Sequence, residues 1–261
     1  ESAEIVMFDR GPYVSFANCG LPYYVGNVIS DERRLLVASR ELFRQRFNVE
    51  VHTETEVVAV DPGARTIVAR DLRTGDSRTE RYDVLVLSPG AAPIRPPLPG
   101  VDSPGVFAVR TIPDSRRIRS WISDHNAKHA VVVGGGFIGL EMVENLIHRE
   151  LSVTILEKLP QVMPPLDAEM AVPLMEHLAA KGVQLHLGDG LAGIEERAGG
   201  GLVVVAESGA RLPADLVILA IGVRPETGLA KDCGLKLGPR GGVVVDAQMR
   251  TSDPNIWAVG D

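Results

Sequence analysis

Short apolar runs alternate with segments of helical periodicity along most of the 261-residue chain. Runs rich in Val, Ile and Leu predict strands at 4–9, 49–51, 83–88, 130–133, 152–157, 183–187, 215–221, 243–246 and 256–259. The runs at 4–9 and 83–88 are typical of buried strands. Helices are predicted from about residue 22, from a Ser39 N-cap through about 46, and at 115–126, 137–149 and 167–181. This alternation predicts an α/β fold with parallel sheets.

Two regions have the pattern of hairpins instead. Residues 56–82 and about 191–212 contain short strand-like runs, and those of the first region are separated by Asp61-Pro62-Gly63 and Thr74-Gly75-Asp76. In each half of the chain, the hairpin region precedes an apolar strand and a glycine-bearing turn, at 88–90 and 221–225. This order predicts a weak internal repeat of one nucleotide-binding unit.

Composition narrows the class of protein. A net charge of −7 and a pI near 5.4 argue against nucleic-acid and membrane partners held by bulk charge. Two distant cysteines and no apolar run of about 20 residues predict a protein of the cytoplasm. The six histidines have no metal-ligand spacing, so no metal is expected. Because the chain starts with Glu1 and both ends read as interrupted elements, we expect a piece of a longer protein.

The segment Gly134-Gly135-Gly136-Phe137-Ile138-Gly139 matches the pattern G-x-G-x-x-G between a predicted strand and a predicted helix. In this pattern Gly134 permits the tight turn, Gly136 lets the backbone approach a pyrophosphate, and Gly139 allows close packing of helix on strand. The helix N-terminus then faces the phosphates. We count Phe137 and Ile138 with these glycines among the cofactor-binding residues. A purely structural glycine turn is the alternative.

An acidic residue follows the glycine motif at the expected distance. Glu157 stands 18 residues after Gly139, at the end of the next predicted strand, where its carboxylate can accept hydrogen bonds from both adenosine ribose hydroxyls. A carboxylate there repels a 2′-phosphate and favours NADH over NADPH. Lys158 beside it acts in the opposite sense, because it can neutralise that phosphate.

Cys19 lies between a short extended run and a segment that can open a helix at Pro22. A thiol at a helix N-terminus is favoured as thiolate, which suits a redox or nucleophilic cysteine. A small buried apolar residue is the alternative for Cys19 taken alone. For Cys233, packing at a helix end is the expectation.

Taken together, these features resemble the pyridine nucleotide-disulfide oxidoreductases over essentially the whole chain, and residues 251–261 are similar to the family's second FAD motif. The resemblance implies two Rossmann-like FAD/NAD(P)-binding domains of the three-layer ββα type, with the NAD domain inserted in the FAD domain. It implies an FAD segment at 1–112, an NAD(P) domain at 113–230 and an FAD return segment at 231–261. The family's first FAD glycine motif and C-terminal interface domain have no counterpart in these residues, so the fragment alone is expected to be inactive.

The same resemblance implies positions for the cofactors FAD and NADH or NADPH. Asp9 matches the acid that binds the FAD ribose, and Asp261 matches the residue that meets the ribityl chain. The other residues implied on the cofactor side are Arg10 and Val57 at the adenosine end, Ser88 and Gly90 in the turn toward the flavin, and Gly222 in the corresponding turn of the second half.

Within this family, the cysteine region is closely similar to that of coenzyme A-disulfide reductases. Branches with an internal redox disulfide carry a second cysteine five positions after the first, where this chain has Tyr24. The resemblance therefore implies a single catalytic cysteine, Cys19, that forms a mixed disulfide with a CoA disulfide or a CoA persulfide. Ser15 and Asn18 match substrate-contacting positions, and Arg46 is a weaker candidate for a CoA phosphate. A homodimer is implied for the full-length protein.

Two other functions remain open at this point. One is an NADH oxidase or peroxidase that uses a Cys19 sulfenate. The other is a nonenzymatic dinucleotide-binding redox module.

Overall fold

The computed structural model describes residues 3–261, which divide into two compact units. The first unit comprises the described residues through Phe16, together with Leu36–Ala92 and Arg224–Asp261. The second comprises Ala17–Leu35 and Pro93–Val223. The predicted boundaries at 112/113 and 230/231 between FAD and NAD(P) domains remain a prediction.

The regular elements of residues 3–261 follow in chain order. The strands are β1 (Ile5–Phe8), β2 (Ser15–Phe16), β3 (Leu36–Ala38), β4 (Val49–His52), β5 (Thr55–Asp61), β6 (Thr66–Asp71), β7 (Ser77–Arg81), β8 (Leu85–Leu87), β9 (Ala91–Pro93), β10 (Val106–Phe107), β11 (His129–Val133), β12 (Ser152–Glu157), β13 (Gln184–Leu187), β14 (Leu191–Glu196), β15 (Leu202–Ala206), β16 (Arg211–Ala214), β17 (Leu216–Leu219), β18 (Val223–Pro225) and β19 (Ile256–Ala258). The α-helices are α1 (Leu21–Val25), α2 (Arg40–Phe47), α3 (Ile112–Asp124), α4 (Phe137–His148), α5 (Ala168–Ala180) and α6 (Gly228–Asp232).

The second unit has three layers around a parallel sheet of order β10-β17-β11-β12-β13. Side chains alternate across this sheet, as the period of a strand requires. Val132 packs in the core shared with α3, α4 and α5, whereas Val131 and Val133 pack in the core shared with the antiparallel sheet β14-β15-β16. Helix α4 contributes the fully buried Met142, Val143 and Leu146, each of which stabilises the fold by about 1.5–3 kcal/mol.

The first unit contains smaller sheets. Strands β1 and β4 pair in parallel, β5-β6-β7 form an antiparallel sheet, and β8 pairs in parallel with β19. Its core includes Leu87, Ala230, Leu235 and Ile256. The order of a three-stranded antiparallel sheet, a parallel strand and a glycine turn occurs in both halves of the chain, with positive φ at Gly90 and at Gly222.

These observations confirm the predicted α/β class with Rossmann-like, three-layer architecture. The predicted helices are present, although α3 begins at Ile112 rather than 115. Thr111 and Asp114 form a capping box there, with a proline in the first turn.

Three details of the strand predictions are wrong. In β1, Ile5, Val6 and Met7 are 50%, 39% and 36% exposed, because the strand pairs only with β4 among the described residues and both of its faces stay partly open. In β8, Val86 is exposed while Leu87 is buried, so only one face is covered. Residues 243–246 form no strand, since Val243 makes a single bridge to Leu237 across the turn at Gly241.

Residues 3–261 contain neither a membrane-spanning helix nor a cluster of metal-ligating side chains. No helix there combines the length and apolar character that crossing a bilayer requires. No group of three or more His, Cys, Asp or Glu side chains in that range is arranged to hold a metal ion.

Candidate active site

The glycine turn connects β11 to α4 in the second unit. Gly134 has φ +106°, and a Cβ there would lie 2.4 Å from the carbonyl oxygen of Ala220. A Cβ on Gly139 would lie 2.0 Å from the carbonyl oxygen of Gly134. Both positions therefore require glycine for close packing of the turn, the helix and the neighbouring strand.

The middle glycine is different, since a Cβ on Gly136 would meet nothing within 4 Å. Gly136 is the N-cap of the 12-residue helix α4, whose first turn contains no acidic residue and receives no side-chain cap. Phe137 is 65% exposed and Ile138 is 40% exposed on that first turn. Free backbone N–H groups at an uncapped helix N-terminus, beside an open glycine, fit the pyrophosphate of a dinucleotide.

Glu157 ends β12 beside this turn and is buried, with 8% of its side chain exposed. Its Oε2 accepts a 2.6 Å hydrogen bond from the Gly135 N–H, and its Oε1 accepts a 2.8 Å hydrogen bond from the Leu159 N–H. Each carboxylate oxygen accepts more than one hydrogen bond, so the group retains capacity for ribose hydroxyls. The structure thus adds a role that the motif did not predict, namely holding the glycine turn and the loop after β12 together.

Parallel strands β11, β12 and β17 place their carboxyl ends at one edge of the sheet. Gly134 directly follows β11, Glu157 is the last residue of β12, and Gly222 lies in the turn after β17. Lys158 is exposed and lies 3.2 Å from the Glu207 carboxylate, a partner 49 residues away that sequence reasoning did not find. This edge is where open α/β sheets bind ligands.

Cys19 also belongs to the second unit. It lies with Asn18 in the short 3-10 helix Asn18–Gly20, and both of their side chains are exposed. A Cβ on Gly20 would lie 2.7 Å from Leu35, which holds this turn close against its neighbour. The alternative of a buried packing thiol is therefore wrong for Cys19.

The helix that follows, α1, has only five residues. The macrodipole argument for the cysteine is correspondingly weaker than the sequence predicted, because such a dipole needs several aligned turns.

Tyr24, which stands where a second cysteine would be, is engaged in packing. Its ring lies under the Arg119 guanidinium at 4.1 Å, and its hydroxyl donates a 3.2 Å hydrogen bond to Glu32. Burial raises the pKa of the Tyr24 hydroxyl. These contacts hold the Tyr24 side chain by packing, and a tyrosine at this position cannot form a disulfide with Cys19.

Residues 17–35, which carry Cys19, pack on helix α4, the helix that begins at the glycine turn. A Cβ on Gly26 would lie 2.2 Å from the Asn145 side chain on α4. Arg149 also donates a 3.1 Å hydrogen bond to the Val25 carbonyl at the end of α1. The proposed nucleophile and the proposed dinucleotide turn are therefore parts of one packed unit.

In the first unit, Asp9 follows β1 and accepts a 2.6 Å hydrogen bond from the Gly11 N–H. Burial raises the pKa of the Asp9 carboxyl. Arg10 lies 3.8 Å from Glu226, and Val57 is half-buried in β5. The other residues that the resemblance implied in this unit are the half-buried Ser15 in β2, the exposed Arg46 in α2, the exposed Ser88 and the half-buried Gly90 after β8, and the exposed Asp261.

A family model described as pyridine nucleotide-disulphide oxidoreductase matches residues 1–261. The chain belongs to this family, and the predicted resemblance is confirmed. The prediction of FAD and NAD(P)H as cofactors is confirmed for the family and its members.

Among curated relatives, the chain is 31% identical over 261 residues to a coenzyme A disulfide reductase of Staphylococcus haemolyticus, covering 100% of this chain and 58% of the relative. It is 38% identical over 259 residues to an NADH oxidase of Methanocaldococcus jannaschii, covering 99% and 57%. The chain thus spans somewhat more than half the length of these relatives.

Two solved structures are closely similar. The reduced CoADR-RHD protein of Bacillus anthracis gives a TM-score of 0.95 at 47% identity, covering 99% of this chain and 46% of that one. An NAD-dependent persulfide reductase from A. fulgidus gives 0.94 at 36% identity, covering 100% and 49%. At these identities the likeness extends from the fold to the family.

Proposed function

We propose that this chain is the dinucleotide-binding part of an enzyme that reduces CoA disulfide or a CoA-type persulfide through Cys19. The observation that carries the proposal is an exposed Cys19 thiol with the packed Tyr24 at the position of a second cysteine. Cys233 caps the end of α6, and its Sγ lies 3.4 Å from the Ala230 carbonyl in a packed environment. The partner sulfur must therefore come from the substrate.

The proposed reaction begins with thiol–disulfide exchange at Cys19 and ends with reduction of the mixed disulfide by NADH. The Cys19 thiolate attacks one sulfur of CoA disulfide, and one CoA thiolate leaves as the Cys19–S–S–CoA bond forms. An electron pair from NADH then breaks that bond, returns the Cys19 thiolate and, with one proton, releases the second CoA thiol. With CoA persulfide, the first leaving group is hydrosulfide. Bound FAD would supply the relay of the electron pair between nicotinamide and sulfur, which no side chain provides.

We assign the glycine turn and Glu157 to NADH. The open backbone at Gly136 and the uncapped N-terminus of α4 support a pyrophosphate at this position. The buried Glu157 carboxylate repels a 2′-phosphate while its oxygens accept from a ribose hydroxyl. On the family resemblance, we assign residues of the first unit to FAD, namely Asp9, Arg10, Val57, Ser88, Gly90 and Asp261. On the same ground, we assign Ser15 and Arg46 of the first unit and Asn18 of the second unit to the substrate.

The test is NADH consumption by the full-length flavoprotein with CoA disulfide, CoA persulfide, hydrogen peroxide or oxygen as oxidant. We expect the sulfur substrates to give the highest kcat/KM, and we expect Cys19→Ser to abolish it. Cys233→Ser is the matched control and should keep the parent rate. A Cys19→Ser enzyme that retains full disulfide-reductase activity would refute the mechanism.

A second candidate is an NADH oxidase or peroxidase with a Cys19 sulfenate, favoured by the 38% identity to the M. jannaschii NADH oxidase. Mass spectrometry of Cys19 in the purified protein separates the two. A CoA adduct supports disulfide reduction, whereas a sulfenate together with faster turnover on peroxide or oxygen supports the oxidase.

We also propose that the full-length protein lies in the cytoplasm and forms a homodimer. Sedimentation of the full-length protein at micromolar concentration measures its oligomeric state, and cell fractionation measures its location.

A further inference from the structure

A second acidic residue lies beside the loop that follows β12. Glu207 stands in the turn between β15 and β16, and its backbone N–H donates a 2.8 Å hydrogen bond to the Gly190 carbonyl. A Cβ on Gly190 would lie 2.6–2.7 Å from three atoms of the Glu207 carboxylate. The carboxylate therefore lies against the Gly190 backbone, in the space that a Cβ at residue 190 would occupy.

This turn is fixed to the carboxyl end of the parallel sheet. Ser208 donates from its backbone N–H at 3.0 Å and from its hydroxyl at 2.5 Å to the two oxygens of Asp189. The Asp189 N–H in turn donates a 3.1 Å hydrogen bond to the Glu157 carbonyl. Glu207 is thus positioned relative to Glu157 by a short chain of hydrogen bonds.

Glu207 pairs with Lys158, the cationic residue that directly follows Glu157 in the chain. The Lys158 ammonium lies 3.2 Å from Glu207 Oε1, and both side chains are exposed. With the buried Glu157 and with Asp189, which pairs with His186, this corner carries three carboxylates, one imidazole and the Lys158 ammonium. A phosphate that entered here would meet net negative charge and a lysine that is already paired.

We infer that Glu207 is a coenzyme-selectivity residue, which engages Lys158 and so disfavours NADPH relative to NADH. The inference rests on the proposed use of a nicotinamide dinucleotide at the glycine turn. NADH carries a 2′-hydroxyl and needs no cation at this position. NADPH carries a 2′-phosphate, which gains a partner only when Lys158 is released.

The role in selectivity is separable from a role in stability. Exposed ion pairs contribute little to folding, so removing the Glu207 charge should leave the protein folded. The effect is expected in the recognition of a phosphate, where a free lysine forms a charge-assisted hydrogen bond.

The experiment compares Glu207→Gln with the parent, using full-length holoenzyme and both coenzymes. We expect kcat/KM for NADPH to rise by about fivefold through a lower KM, and kcat/KM for NADH to change by less than about twofold. Lys158→Met should remove the gain, so the double variant should resemble Lys158→Met alone. The matched control is Glu195→Gln, which breaks the Arg211 ion pair in the same antiparallel sheet and should leave the ratio unchanged.

A binding readout separates this inference from the proposed function. Calorimetry with 2′,5′-ADP as probe should show tighter binding to Glu207→Gln, with the gain lost at about 1 M salt, while 5′-AMP binding stays constant. An unchanged 2′,5′-ADP affinity, or an equal gain in the Lys158→Met background, overturns the inference. Absence of disulfide reduction with a normal 2′,5′-ADP response overturns only the proposed substrate.

Discussion

The glycines of the turn between β11 and α4 show how neighbouring residues of one type serve different purposes. Gly134 has positive φ and no room for a Cβ, whereas Gly136 has extended backbone angles and open space. Sterics demand the first glycine, and the approach of a ligand is the reason we assign to the second.

We therefore expect opposite outcomes for two alanine substitutions. Gly134→Ala should lower the free energy of unfolding by about 1–3 kcal/mol, because of the strained φ and the overpacking against Ala220. Gly136→Ala should leave the unfolding transition almost unchanged and weaken NADH binding by at least about tenfold. Thermal denaturation and fluorescence titration of the full-length protein measure the two effects. Equal loss of stability in both variants would contradict the assignment of Gly136 to the ligand.

At the scale of single residues, the part of the site that belongs to local motifs could be predicted from the sequence. Contacts between residues far apart in the chain could not. The glycine spacing, Glu157 and Tyr24 were recognisable because their chemistry depends on separations of a few residues up to one βαβ unit. Glu207 was not, because it meets Lys158 only after the sheet β14-β15-β16 has folded back. The hydrogen bond that the Glu157 carboxylate accepts from the Gly135 N–H, 22 residues away, is likewise a product of the tertiary fold.

Among the elements, helix α2 illustrates a boundary that its sequence specifies. Ser39 Oγ accepts a 3.1 Å hydrogen bond from the Leu42 N–H, as predicted for an N-cap. At the other end, Asn48 adopts the left-handed conformation with φ +53°. By contrast, Thr227 at the N-cap of α6 makes no side-chain capping bond.

We expect Ser39→Ala to lower the free energy of unfolding by about 1 kcal/mol, since one N–H of the first turn loses its partner. Thr227→Ala in the same unit should change it by less than about 0.5 kcal/mol. Urea denaturation compares the two variants. Similar losses in both would show that residue composition rather than the cap determines the effect.

The periodicity of the sequence predicted most element types, apart from the strand at 243–246. It did not predict how deeply the strands are buried. The apolar runs at β1 and β8 predicted fully buried strands, yet Val6 and Val86 are exposed, because within residues 3–261 each strand pairs with a single neighbour. The start of α3 was missed because its prediction used the apolar face of Ile118, Trp121 and Ile122. The buried Ile112 belongs to the same helix, and the capping box of Thr111 and Asp114 marks its first turn. A pattern of side chains reports the period of an element and not the number of its neighbours.

Over the whole molecule, several carboxylates are more acidic than usual. Hydrogen bonds from Ser208 and His186 lower the pKa of Asp189 to about 2, and Arg33 lowers that of Asp31 to about 2. A carboxylate whose pKa is depressed in the folded state stabilises the protein above its unfolded pKa of about 4 and loses this contribution as the pH falls toward 2. The contributions of Asp189 and Asp31 to stability should therefore decrease as the pH falls from about 4 toward 2.

Ser208→Ala tests this expectation at Asp189, because the hydrogen bond from the Ser208 hydroxyl is the largest cause of its lowered pKa. We expect the pKa of Asp189 to rise toward its ordinary value and the loss of stability between pH 5 and pH 2.5 to become smaller. NMR titration of the Asp189 carboxyl and urea denaturation at the two pH values measure both effects. Ser120→Ala, at an exposed serine of α3, is the control and should show the parent pH dependence.

The contact of Gly26 with Asn145 constrains how this protein can evolve. Because a Cβ at 26 would overlap both the amide and the Cβ of Asn145, a residue larger than glycine at 26 requires a change at 145. In an alignment of relatives, a residue larger than glycine at 26 is expected with glycine at 145. In a library randomised at both sites, folded clones should occur in such compensated pairs. A sequence change in helix α4 at position 145 is therefore also a change in the support of the segment that carries Cys19.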